Sequence, residues 1–235
     1  MPRGPSYDVV VTALTAQWQL IAAALPGLDP TAPTPLPGWD TATLVGHLAG
    51  TAERVVTLTG APCPGEARLD AVSWWVAEDV AEPDGPGDAA RFAAATAAGT
   101  AVLAATPDAR VIAPGIRLAE YARTRVLEAV VHGLDLGVPP DRGALRLTVR
   151  LLGQMLEARL PGRNVEVRVP PYVAVQVLAG PRHTRGTPPG VVEADPEAFV
   201  LLCTGRLAWP EAAADGRVRA SGERTDLSPH LPILR

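Results

Sequence analysis

Along the first half of the chain, apolar residues recur at steps of three and four. Val11, Leu14, Trp18, Ile21 and Leu25 draw one stripe along a helix that begins near Tyr7, and Pro26-Gly27 ends it. After a proline-dense loop from Asp29 to Gly38, Asp40 stands where an N-cap accepts backbone N–H bonds. Leu44, Leu48, Thr51 and Val55 then mark the inward face of a helix running to about Thr59. Asp70 to Ala81 reads as a short helix carrying Trp74 and Trp75, and Asp88 to Ala105 as a third long helix. Ile116 to Leu136 reads as a fourth, closed by Gly137 and the Pro139-Pro140 pair. Four long helices with short links predict an all-α four-helix bundle over residues 1–137.

Gly137-Val-Pro-Pro-Asp-Arg-Gly143 reads as a linker, and the pattern beyond it changes. Leu145 to Leu160 is apolar at helical spacing. Val165-Glu-Val-Arg-Val169 alternates at period two and Tyr172 to Leu178 is rich in valine, so both predict strands. Pro196 to Cys203 and Pro210 to Ala214 read as helices, and Arg217-Val-Arg-Ala220 returns to a strand pattern. Helices and strands mixed in this way predict a small α+β domain over residues 144–235, making the chain multidomain.

Composition narrows the function classes. A chain of 235 residues, 47% hydrophobic and 20% charged, can bury two modest cores and fold as a globular protein. The basic residues are all arginine, which GC-rich codon usage explains. With a net charge of −4 and interspersed signs there is no basic face, so no nucleic-acid partner is expected. The first thirty residues carry no signal-peptide pattern and no run of about 18 apolar residues occurs, so neither export nor a membrane partner is expected. Cys63 lies in a Pro-Gly loop and Cys203 in an apolar run, too few cysteines for a disulfide framework, which points to the cytoplasm.

The chemistry is concentrated in two helices. His47 falls at helical spacing from Leu44 and Thr51, so its ring should point into the bundle, either as a hydrogen-bonded core residue or as a ligand. Glu128 and His132, four apart, put a carboxylate and an imidazole on one helical face within reach of one ion. Tyr121, Arg125, Glu128, His132 and Asp135 form a polar stripe flanked by Val126, Leu127, Val130, Val131 and Leu134. A solvated face would explain Arg125 and Asp135, but a buried Glu128 would require a cation. His47, Glu128 and His132 make the three-ligand set of a catalytic divalent site, with zinc the expected ion and at least one position open. Asp135 either orients His132 or is a surface residue.

Leu36-Pro-Gly-Trp-Asp-Thr-Ala-Thr-Leu-Val-Gly-His-Leu-Ala-Gly50 and Arg125-Val-Leu-Glu-Ala-Val-Val-His-Gly-Leu-Asp135 resemble the paired motifs of the mycothiol-dependent maleylpyruvate isomerase family. That resemblance implies a DinB-like metal-binding bundle with ligands at His47, Glu128 and His132. Val165 to Pro171, Gly180-Pro-Arg-His-Thr-Arg-Gly-Thr-Pro-Pro-Gly190 and Gly216-Arg-Val-Arg-Ala-Ser-Gly222 resemble the sterol-carrier-like domain that follows this bundle in many such proteins.

The implied activity is isomerisation or thiol transfer, with mycothiol as co-substrate and a small electrophile as its target. Trp39, Trp74 and Trp75 are candidates to line a pocket or simply to pack. Arg182, Arg185, Arg206 and Arg217 are candidates to bind anionic groups. Two other classes stay open: a carrier holding an apolar ligand in a tunnel lined by Val167, Val169, Val173, Val175, Phe199 and Leu202, and a metal-bearing scaffold without catalysis.

Overall fold

The structure, a computed structural model, describes residues 4–63, 65–77, 85–180 and 190–234. By its internal contacts the chain divides into two compact units, Met1–Leu147 and Thr148–Arg235. The expected fold class is found: an all-α bundle followed by a small α+β domain.

Four long helices build the first unit: α1 (Tyr7–Ala24), α2 (Thr41–Gly60), α4 (Ala89–Ala105) and α5 (Leu118–Asp135), with the short α3 (Ala71–Ala77) between α2 and α4. Asp40 and Asp88 cap α2 and α4 by accepting from the N–H groups of Thr43 and Arg91. Tyr7 at the start of α1 donates its hydroxyl proton to the Leu103 carbonyl near the end of α4, so these two helices run antiparallel. Arg110, just before α5, reaches the carbonyls of Thr59 and Ala61 at the end of α2, so α5 enters the bundle where α2 leaves it. α2 and α5 are therefore antiparallel, and the middle of one faces the middle of the other.

Two local features depart from the sequence reading. Ile116 and Arg117 do not begin the fourth helix. They form β2 (Ile116–Arg117), paired antiparallel with β1 (Val111–Ile112) around Pro114-Gly115. Ile116 is fully buried, so its apolar character served a ribbon and looked helical only because the helix follows at once. The predicted 70–81 helix is described as α3 over Ala71–Ala77, and residues 78–81 lie outside the described residues.

Tyr7–Gly27 is long and apolar enough to cross a membrane by length and composition, contrary to the sequence expectation. Yet Leu14, Trp18 and Ile21 are buried in the bundle, and fully buried Gln17 accepts the Asp141 N–H at 2.8 Å. This is the pattern of a core helix.

At Gly46, beside His47, backbone packs on backbone. A Cβ there would lie 1.9 Å from the Gly85 carbonyl oxygen and 2.9 Å from the Gly87 nitrogen, while the Gly87 N–H donates to the Ala42 carbonyl. Gly46→Ala should therefore destabilise the protein by about 1–3 kcal/mol through overpacking, although alanine is the better helix former. Thermal melts decide the sign, and a rise in melting temperature would rule out the close approach.

The second unit holds most of α6 (Arg142–Arg159), whose N-terminus is capped by Asp141 accepting from Gly143 and Ala144. Its sheet has the order β4-β3-β5-β6: β3 (Pro161–Val169) pairs antiparallel with β4 (Val173–Val177) and parallel with β5 (Gly190–Ala194), and β5 pairs antiparallel with β6 (Val218–Gly222). α7 (Pro196–Cys203) and α8 (Trp209–Ala214) connect β5 to β6. β5 had no clear pattern in the sequence, since Gly-Val-Val-Glu-Ala is short and its inward positions include Gly190. Val167, Val169, Val175, Phe199 and Leu202 are each 9% exposed or less, and Val173 is half-buried. The burial of those five residues is what a packed core requires.

Candidate metal centre

His47 comes from α2, and Glu128, His132 and Asp135 come from α5. The antiparallel pairing sets the first turns of α2 against the last turns of α5. One donor atom from each of His47, Glu128 and His132 lies within 4.8 Å of the others. Ligands held 2.0–2.2 Å from a common zinc ion are at most about 4.4 Å apart, so small side-chain rotations would seat all three around one ion. The two histidine rings meet edge to face, with centroids 5.2 Å apart.

Hydrogen bonds fix the orientation of each group. Carboxylates only accept, so His47 Nε2–H donates to Glu128 Oε1 at 2.9 Å and His132 Nδ1–H donates to Asp135 Oδ2 at 2.9 Å. The second bond leaves the lone pair of His132 on Nε2, available to an ion. The other carboxylate oxygen, Glu128 Oε2, lies 2.7 Å from Arg125 Nη1. Burial pushes the Glu128 carboxyl up, but the charge of Arg125 and the hydrogen bond from His47 outweigh it, holding its pKa at about 2. Glu128 is thus a carboxylate at neutral pH although only 8% exposed.

The solvated-face reading of Arg125 and Asp135 is overturned. Arg125 is 4% exposed and lies over the Tyr121 ring, 4.7 Å from its centroid, and the Asp135 side chain is 1% exposed. The stripe faces the bundle interior because the apolar residues on its two flanks seat α5 there.

Trp39 packs edge-on against His47, with centroids 5.3 Å apart, held by a turn in which its carbonyl accepts from Thr34. Trp74 is buried edge-on against Tyr121 and Trp75 is half-buried. Of the arginines expected to bind anions, Arg182 and Arg185 lie outside the described residues. Arg206 donates to its own neighbour, the Thr204 carbonyl, and Arg217 pairs with Asp215 at 2.9 Å.

Comparison with known proteins bears on this geometry. The profile of the mycothiol maleylpyruvate isomerase N-terminal domain matches residues 11–137, more than half of the chain. The chain belongs to the mycothiol maleylpyruvate isomerase family. Residues 141–233 match a second profile, the bacterial SCP ortholog. Two crystal structures share the fold: the mycothiol-dependent maleylpyruvate isomerase, at 16% identity and a TM-score of 0.56, and a histidine-to-alanine mutant of it, at 15% and 0.59. Each likeness covers 93% of this chain and 95% of the other. No curated protein matches the chain.

Proposed function

We propose that the chain is a metal-dependent enzyme that uses a low-molecular-weight thiol, mycothiol, for isomerisation or thiol transfer on a small electrophile. The supporting observation is the convergence of the His47, Glu128 and His132 donors within 4.8 Å in a bundle interior. The names of the two solved relatives supply the thiol and the class of electrophile. The bundle, residues 1–137, would carry the chemistry, the sterol-carrier-like domain over 144–235 would follow it, and the cytoplasm would keep the thiol reduced.

A zinc ion bound here would contribute the positive charge that holds a thiol as its thiolate. His47 and His132 would bind as neutral imidazoles, with Asp135 fixing the ring of His132 and Trp39 shielding His47 from water. Cys63 and Cys203 are not needed, and burial pushes the Cys203 thiol far above its ordinary value. In isomerisation the external thiolate adds to an activated cis double bond, the resulting single bond rotates, and the thiolate leaves unchanged. In transfer, the adduct takes up a proton and is released.

The test is turnover of maleylpyruvate by the purified full chain with and without mycothiol, before and after chelation. Turnover should require both thiol and metal and should return when zinc is restored. Turnover that survives chelation, or that is equal without thiol, contradicts the reading.

A further inference from the structure

We infer that Arg125 is a positioning residue that restricts Glu128 to one donor oxygen and keeps the metal centre positive enough to accept an anionic thiol. The inference rests on the metal reading above and adds to it the reason the site stays open.

The two oxygens of Glu128 are divided. Oε2 faces Arg125 Nη1 at 2.7 Å, while Oε1 faces His47 Nε2, on another of the candidate ligands, at 2.9 Å. A guanidinium commonly takes both oxygens of a carboxylate, but here the fork is shared, because Arg125 Nε donates to Thr124 Oγ1 at 3.1 Å. The Tyr121 ring lies against the guanidinium, and at 4% exposure the group cannot turn out to water. Glu128 therefore has one oxygen to offer an ion. With two imidazoles that makes three protein donors, whereas a two-oxygen Glu128 would supply a fourth and fill the position a thiol needs.

Charge points the same way. Glu128 cancels one unit of a dication and Asp135 another, which alone would leave the centre neutral. Arg125 restores one positive unit in a water-poor interior, where charge acts strongly. A thiolate would then enter a site of opposite sign.

Cobalt(II) and 2-mercaptoethanol probe this directly. The full chain is loaded with cobalt, its visible bands report the donor set, and the near-ultraviolet sulfur-to-cobalt band reports bound thiolate. In Arg125→Met the visible bands should change in position and intensity, and thiol affinity should fall at least about tenfold. Arg125→Lys, which retains the charge, should recover most of that affinity. A purely structural role would lower melting temperature and cobalt uptake while leaving the thiol affinity of loaded sites unchanged. That outcome, or a wild-type spectrum and affinity in Arg125→Met, overturns the inference. If Arg125→Met does not fold, Arg125→Gln decides: it keeps an N–H for Oε2 without the charge, and undiminished thiol affinity in it overturns the inference. Wild-type protein that takes up no cobalt overturns the metal reading and this one with it.

Discussion

Glu128→Ala should lose the metal and also destabilise the metal-free protein by about 3–5 kcal/mol, because it removes the carboxylate that the buried Arg125 guanidinium pairs with. Arg125 is 4% exposed and lies 2.7 Å from Glu128, so the pair that is lost is a buried one. His132→Asn separates binding from stability. The asparagine amide can still donate toward Asp135, so the fold should hold to within about 1 kcal/mol while the third donor is gone. Elemental analysis should give about one divalent ion per wild-type chain and a small fraction of that in either variant. Adding Arg125→Met to Glu128→Leu removes both buried charges and should recover stability without recovering metal. Equal metal content in wild type, Glu128→Ala and His132→Asn would refute the ligand assignment.

Much of this was legible in the sequence because the bundle obeys local rules. The stripe from Val11 to Leu25 gave α1 and the cap at Asp40 gave the start of α2, since each is decided within a few residues. The spacing of Glu128 and His132 put two ligand types on one face of α5. That they meet His47, across a sequence separation of 81, was expected from its place on the inward face of its own helix, and the family resemblance pointed to the same three residues.

What sequence missed depends on tertiary context. Arg125 is readable as a solvated residue from its type alone, and only the packing of α5 encloses it. Gly46 carried no sign that the backbone at Gly85 and Gly87 would press against it, because the approach joins segments about forty residues apart. The β1–β2 ribbon escaped because two residues cannot establish a period, and β5 because Gly-Val-Val-Glu-Ala does not alternate apolar with polar residues.

The most direct test of a metal centre that ionises a thiol is calorimetry of mycothiol binding to zinc-loaded protein in two buffers of different ionisation heat. At a pH well below the free thiol's pKa, a coordinated thiol gives up its proton to the buffer. The binding heats should therefore differ by close to the difference between the two buffers' ionisation enthalpies, the value for one released proton, and binding should disappear in the chelated protein. Equal heats in the two buffers, or mycothiol binding that persists after chelation, would contradict thiolate binding at His47, Glu128 and His132.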